Sequence, residues 1–130
     1  HVLSLAREAY TPEPAHAATP ASPADAVAAG ALHEALFPAS YLRSADLMAA
    51  TATHVGGNPR RLFVAASAGA VRGYAYVQQM PAGDEGYVDY LGVAPDARGR
   101  GLGRALLAAA VHWALVERAA AGWQVLNLAR

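Results

Sequence analysis

Three glycines alternate with three arginines in one short stretch of the sequence, and their types and spacing suit a phosphate site. The stretch reads Arg98-Gly99-Arg100-Gly101-Leu102-Gly103-Arg104 and lies between an apolar run, Tyr87–Val93, and a long helical pattern. A turn that enters a helix presents free backbone N–H groups to an anion, and glycine leaves these groups accessible. Because Arg also binds phosphate through two parallel hydrogen bonds, the stretch predicts a pyrophosphate site at a helix N-terminus.

Two common phosphate-binding motifs do not fit this stretch. The dinucleotide motif GxGxxG fails, because its third glycine would fall on Arg104 or Leu106. The nucleoside-triphosphate loop fails, because no Gly-Lys-Ser/Thr follows. The pattern that fits is Q/R-x-x-G-x-G/A, with Arg98, Gly101 and Gly103 at its defined positions. The alternative is a glycine-rich turn that only joins a strand to a helix.

A single carboxylate, Asp89, interrupts the apolar run before the turn. Alternation along a regular strand places four side chains on one face: Tyr87, Asp89, Leu91 and Val93. A carboxylate in a half-buried cleft can have a raised pKa and accept a proton from an ammonium group. The alternative is a structural carboxylate that binds backbone N–H groups at a strand irregularity or pairs with an Arg.

The motif and its setting resemble the acetyl-CoA site of the GNAT N-acetyltransferase superfamily. Arg98, Gly101 and Gly103 follow a strand that ends in Leu91-Gly92-Val93, and a hairpin precedes that strand. The resemblance covers roughly residues 32–128. It implies an α/β (α+β) fold with a central, mostly antiparallel sheet flanked by helices. It also implies direct transfer of the acetyl group of acetyl-CoA to a primary amine of an unidentified acceptor, a small molecule or a peptide.

The resemblance assigns further residues to the donor and acceptor sites. The end of the Tyr87–Val93 strand would splay from its neighbouring strand, and backbone groups there would bind the pantetheine arm. The donor site would comprise Leu91, Val93, Arg98, Gly99, Arg100, Gly101, Leu102, Gly103 and Arg104. Asp89 would be the catalytic base. Phe37 and Tyr41 would line the acceptor site, and both rings equally fit simple packing of helices on the sheet.

Composition limits the class of protein. A chain of 130 residues predicts one domain, and its 55% hydrophobic content is enough for a core. The formal net charge of zero argues against nucleic acid or an anionic membrane as the main partner. The absence of cysteine excludes disulfides, thiolate metal sites and a Cys nucleophile, and it fits a cytoplasmic location. No metal site is predicted.

Prolines and periodicity predict the elements that position the site. Residues 1–23 are predicted to be an N-terminal arm or linker, since the prolines between Tyr10 and Pro23 oppose regular helix or strand, and residues 24–130 form the domain. Three helices are predicted, at Ser22–Leu36, Ser40–Thr53 and Gly101–Ala120. A hairpin is predicted from the strands Leu62–Ala66 and Val71–Gln79. A last strand is predicted at Trp123–Leu128.

The sequence lacks a part that the resemblance implies. Family members normally continue past a strand such as Trp123–Leu128 with a helix, which often carries a Tyr that protonates the leaving thiolate, and two more strands. We therefore expect a domain without its C-terminal helix and strands, whose open sheet edge a dimer or a second domain completes. The alternative function is a non-catalytic CoA-binding or assembly half of a larger or tandem GNAT protein. A donor other than acetyl-CoA is a further alternative.

Overall fold

The fold is built on one six-stranded sheet. A computed structural model describes residues 3–6, 18–51, 59–80, 85–118 and 120–129. The strands are β1 (Leu3–Ala6), β2 (Ala18–Pro20), β3 (Arg60–Ser67), β4 (Ala70–Met80), β5 (Glu85–Val93) and β6 (Gly122–Ala129). Their order is β1-β6-β5-β4-β3-β2, and only β5 and β6 are parallel neighbours. The helices are α1 (Pro23–Leu36), α2 (Ser44–Ala49) and α3 (Leu102–His112). The predicted α/β (α+β) architecture, a mostly antiparallel sheet flanked by helices, is confirmed.

Helix α1 begins and ends where the sequence predicts. The Ser22 hydroxyl accepts a hydrogen bond from the Asp25 amide at 3.1 Å, and the Asp25 carboxylate accepts one from the Ser22 amide at 3.0 Å. This reciprocal cap satisfies two amides that the first turn leaves unpaired, and Pro23 occupies a position where no N–H is needed.

Helix α2 is shorter than predicted. The expected span was Ser40–Thr53, and the helix covers only Ser44–Ala49. The Ser40 hydroxyl accepts a hydrogen bond from the Leu42 amide at 2.9 Å, so residues 40–42 form a turn instead of a first helical turn. The end of the predicted helix, with His54, lies outside the described residues.

Helix α3 also ends earlier than the predicted Ala120. Regular helix stops at His112, and a wider π-helical turn continues over Trp113–Glu117. The Arg118 amide donates to the Trp113 carbonyl at 2.9 Å, which is the five-residue spacing of such a turn. The packing of this helix on the sheet is close, since a Cβ added at Gly86 would lie 2.5 Å from the Ala114 Cβ.

Strand β6 is not an open edge over its first half. Strand β1 pairs with it antiparallel, from Leu3 opposite Val125 to Ala6 opposite Gly122. The chain's own residues 3–6 supply the backbone partners there. Completion of the sheet by a dimer or second domain stays a prediction.

The other edge of the sheet carries β2, within the proline-rich segment for which no strand was expected. Strand β2 pairs with β3, from Ala18 opposite Ala65 to Pro20 opposite Phe63. Proline cannot donate to a strand ladder, but an edge strand has an outer side where no donor is needed. The division into an arm, 1–23, and a domain, 24–130, stays a prediction.

Two apolar cores lie on opposite faces of the sheet. One contains Leu106 and Val111 of α3 together with Val88, Leu91 and Val93 of β5. The other contains α1 and α2 residues together with Tyr74, Tyr76 and Tyr90. Strand β5 therefore contributes to both cores and stands near the middle of the sheet. Among the described residues, no helix combines the length and apolar character needed to cross a membrane.

Candidate active site

The turn that leads from β5 into α3 holds two glycines in a left-handed conformation. Gly99 has φ of +80° and Gly101 has φ of +81°. Other L-residues rarely adopt this conformation, so the glycines are needed to make the turn. Gly101 is the cap residue of α3, and no side chain caps the helix there. A Cβ added to either glycine would meet no atom within 4 Å, so the space in front of the turn is open.

A pocket of about 320 Å³ lies at this turn. Its lining consists of Val93, Ala97, Arg98, Gly99, Gly101, Leu102, Gly103, Arg104 and Leu128. All predicted donor-site residues except Leu91 and Arg100 are thus brought together. Uncapped amides at the start of α3, with arginines beside them, suit a doubly charged phosphate group. The pocket therefore fits the pyrophosphate of a nucleotide-type ligand.

The arginines around the turn differ in position. The Arg98 Nε donates to the Val93 carbonyl at 3.1 Å and joins the turn to the end of β5. Arg100 lies away from the pocket lining, with its guanidinium 3.4 Å from the Ser67 hydroxyl. Arg72 forms an ion pair with Asp96 next to the turn, and its hydrogen bond lowers the pKa of that carboxyl. The positive charge at the pocket thus comes from Arg98 and Arg104.

Strands β5 and β6 remain paired almost to their ends. Leu91 lies opposite Leu128 and Gly92 opposite Ala129. The expected splay at the end of β5 is therefore wrong for this structure. With no group between β5 and β6 to separate them, their backbone N–H and C=O groups stay paired in the ladder. The pocket opens only at Val93 and Leu128, beyond most of the paired residues.

A β-bulge at Asp89 changes the alternation of β5. Tyr76 of β4 lies opposite Tyr90 and Val77 lies opposite Val88, so Asp89 has no partner in β4. Val88 and Leu91 belong to the core beneath α3, whereas Tyr90 belongs to the core beneath α1. The prediction that Asp89 shares a face with Leu91 and Val93 is therefore wrong, since one extra residue reverses the faces.

The Asp89 side chain lies on the α1 side and is 2% exposed. Its Oδ2 accepts a hydrogen bond from the Gln78 Nε2, which is the only donor to this carboxylate within the described part of the chain. Burial raises the pKa of Asp89 from 3.8 to about 6, and the Gln78 hydrogen bond partly opposes this. Of the two interpretations of Asp89, pairing with an Arg or with backbone N–H groups finds no support among these contacts.

Aromatic rings surround the approach to Asp89. The Phe37 and Tyr90 ring centroids lie 4.8 Å apart, and the Tyr41 and Tyr90 centroids lie 5.4 Å apart. Phe37 is half-buried, whereas Tyr41 is 67% exposed. Burial, followed by the nearby Asp89 charge, raises the pKa of Tyr41 to about 12. The two predicted acceptor residues therefore lie together on the face that carries the carboxylate.

Sequence reasoning missed a buried histidine on this face. The His33 Nε2 lies 3.0 Å from the Leu42 carbonyl, which can only accept, so Nε2 carries the hydrogen. The Nδ1 then accepts from the Tyr74 hydroxyl at 2.5 Å. Burial lowers the pKa of His33, which keeps the ring neutral. This chain of bonds ties the α1–α2 loop, and with it Tyr41, to β4.

Sequence reasoning also missed two amide side chains that bind Asp89. Gln78 contacts its carboxylate, and the Asn127 Nδ2 donates to its backbone carbonyl at 2.8 Å. Nothing in the local sequence pattern related either amide to Asp89. The described residues contain no cluster of three or more His, Asp or Glu side chains that could hold a metal ion.

Three solved structures resemble this chain, and the second and third of them share its fold. A nourseothricin acetyltransferase is 37% identical over 47% of this chain and 36% of its own, with a TM-score of 0.45. A ribosomal-protein-alanine N-acetyltransferase from Brucella melitensis biovar Abortus 2308 is 20% identical over 87% of this chain and 79% of its own, with a TM-score of 0.58. A tandem GNAT protein from the clavulanic acid biosynthesis pathway is 24% identical over 79% of this chain and 33% of its own, with a TM-score of 0.57.

The chain thus spans about a third of two of these proteins. No curated protein matches it. The model of the acetyltransferase (GNAT) family matches residues 28–127, which include both glycines of the left-handed turn, the bulged carboxylate and the aromatic pair. A family match over this much of the sequence places the chain in the GNAT acetyltransferase family.

Proposed function

We propose that the chain transfers the acetyl group of acetyl-CoA to a primary amine, with the pocket at the start of α3 as the pyrophosphate site and Asp89 as the general base. The observation that carries the proposal is the open pocket at the left-handed turn. GNAT proteins generally use acetyl-CoA as acyl donor, and the pocket has the donors that its diphosphate requires.

The donor would be held by main-chain amides between Gly99 and Gly103, with Arg98 and Arg104 at the rim. These amides are fixed before binding, so little ordering is required when the phosphates arrive. Contacts from the backbone of Leu91 and from the side chain of Arg100 stay predictions, since neither residue lines the pocket. The donor supplies an activated acetyl group as a thioester.

Asp89 would take the proton that the acceptor must lose. With a pKa of about 6, its carboxyl is largely ionised at neutral pH and remains a competent base. In the reaction a nitrogen–carbon bond forms and the carbon–sulfur bond breaks. One ammonium proton passes to Asp89, a second proton from the same nitrogen passes to the departing sulfur, and CoA leaves as the thiol. A well-placed base contributes about 10²–10⁴-fold to such a reaction.

The base and the phosphate pocket lie on opposite faces of the sheet. Asp89 is four residues before Val93 on β5, a separation of roughly 13 Å along a strand. A thioester can reach Asp89 only by passing beside the end of β5. We therefore expect the pairing of Gly92 with Ala129 to open when the donor binds, which would produce the gap that the free structure lacks.

Titration calorimetry with acetyl-CoA tests the pocket through Gly99→Glu. A glutamate there places negative charge in the space meant for phosphate, so we expect donor binding to be lost. Gly69→Glu is the matched control, because Gly69 has φ of +79° with nothing within 4 Å, and it lies in the β3–β4 turn. Both variants carry the same backbone strain. Unchanged affinity in Gly99→Glu would contradict the placement of the donor.

A second candidate function is a non-catalytic CoA-binding half of a larger protein. The observation that favours it is the 33% coverage of the tandem GNAT protein. Native mass spectrometry distinguishes the two: bound acetyl-CoA without turnover on a panel of amines selects the binding role, whereas turnover selects catalysis. A cytoplasmic location stays a prediction.

A further inference from the structure

The bulged residue Asp89 is held by two amide side chains, one from each neighbouring strand. Gln78 of β4 donates to its carboxylate, and Asn127 of β6 donates to its backbone carbonyl at 2.8 Å. Both are side-chain hydrogen bonds, made in addition to the backbone hydrogen bonds that pair β4 and β6 with β5.

Asn127 compensates for the bulge. A bulge leaves the extra residue without its ordinary partner in the ladder, and a buried carbonyl without a donor is costly. Asn127 lies opposite Tyr90, the residue after Asp89, so its amide reaches the carbonyl that the bulge displaces. The amide thereby stabilises the irregular backbone that turns Asp89 towards Tyr41.

Gln78 fixes the carboxylate itself. It is half-buried on the face of β4 that carries Tyr74 and Tyr76, and its Nε2 donates to the Asp89 Oδ2. A donor to the ionised form favours that form, which opposes the effect of burial. The amide leaves the second carboxylate oxygen for another proton donor.

We propose that Gln78 and Asn127 are positioning residues for the base: Asn127 holds the bulge that presents Asp89 to the acceptor, and Gln78 aims its carboxylate. The inference rests on the proposed role of Asp89. It adds two residues that do not themselves line the donor pocket.

Other charged groups near Asp89 do not replace these amides. Within the described residues, the titratable groups that interact with its charge are the phenols of Tyr41 on the α1–α2 loop and Tyr76 on β4, and the Tyr90 phenol belongs to the next residue of β5. Arg60 and Asp46 interact with the far phenol, Tyr76. Among the described residues, Gln78 is thus the group that lowers the pKa of the carboxylate and so opposes the effect of burial.

The first test is Gln78→Leu, read by NMR titration of the Asp89 carboxyl carbon and by the pH profile of kcat/KM. Loss of the hydrogen bond should move both the NMR midpoint and the acidic limb upward by about one pH unit. Gln124→Leu is the matched control, because the Gln124 amide makes a similar contact with Glu85 at 3.1 Å, away from Asp89. It should leave both midpoints in place. An unmoved Asp89 midpoint in Gln78→Leu overturns the inference.

The second test is Asn127→Leu, which keeps the side-chain shape and removes the donor. We expect kcat to fall by about tenfold while KM for acetyl-CoA stays within about twofold, because the base is displaced and the pocket is not. Unchanged kcat refutes this part. If Gln78→Leu does not fold, Gln78→Met has the same length and carries the first test.

Failure of this inference differs from failure of the proposed function. If Asp89→Asn retains full turnover, Asp89 is not the base and the proposed function loses its proton acceptor. If Asp89→Asn is inactive but Gln78→Leu leaves the NMR midpoint of Asp89 unchanged, the base stands and its positioning by Gln78 is refuted.

Discussion

Replacement of the buried base should stabilise the fold in one range of pH only. Burial raises the pKa of Asp89 from 3.8 to about 6, so the folded state binds its proton more tightly than the unfolded chain does. Stability therefore falls as the pH rises from about 4 to about 6 and stays lower above that range. The difference in pKa corresponds to about 3 kcal/mol at pH 8.

Asp89→Asn removes this cost and keeps the shape of the side chain. Its amide oxygen still accepts from Gln78, and its neutral group has no charge to desolvate. We expect the free energy of unfolding to rise by about 2–3 kcal/mol at pH 8, or roughly 10 °C in Tm for a domain of this size, and to change little at pH 4. Acetyl transfer should fall in the same variant.

Urea denaturation of both proteins at pH 4 and pH 8 measures the effect. Glu85→Gln is the control, since Glu85 is a half-buried carboxylate on the same strand that also accepts from an amide. It should change the free energy of unfolding by less than about 0.5 kcal/mol at either pH. If Asp89→Asn were no more stable at pH 8, or gained equally at pH 4, the carboxylate would not be strained by burial and its use as a tuned base would have no support.

Two further substitutions test the acceptor side. Tyr41→Ala should raise KM for the acceptor amine several-fold and leave KM for acetyl-CoA unchanged in steady-state kinetics. The exposed Tyr41 ring packs on Tyr90 and lies away from the donor pocket. Tyr41→Phe keeps the ring and should resemble the wild type. His33→Leu should lower the free energy of unfolding by about 3 kcal/mol in urea at pH 7.5, because it leaves the Tyr74 hydroxyl and the Leu42 carbonyl unpaired in the interior; a loss below about 1 kcal/mol would contradict the buried hydrogen-bond chain.

The turn that we propose as the phosphate site could be predicted from the sequence because its determinants are local. A left-handed turn requires glycine, a helix start leaves amides unpaired, and both features occupy consecutive residues from Gly99 to Gly103. Ser22 and Asp25 likewise placed the start of α1 through contacts three residues apart. Each of these predictions needed only the chemistry of one short segment.

The acceptor side could not be predicted in the same way because it depends on partners distant in sequence. Asp89 is bound by Gln78 and Asn127, which lie 11 and 38 residues away. The bulge arises from the register of β4 against β5, and no residue type in Tyr87–Val93 signals it. His33 looked like an ordinary helical residue until its bond to Tyr74, 41 residues away, placed it in the interior.

Under the proposed function, the bulge and the paired end of β5 together explain how one strand could serve both substrates. A regular strand would place Asp89 on the same face as Leu91 and Val93, within the core beneath α3 and away from the aromatic approach. The extra residue moves the carboxylate to the opposite face without moving Val93 from the phosphate pocket. Donor and acceptor would then approach from different faces and meet at the end of β5, where the pair of Gly92 with Ala129 would separate. That pair is parallel and lies at the end of the ladder, so this is the part of the sheet that opens at least cost.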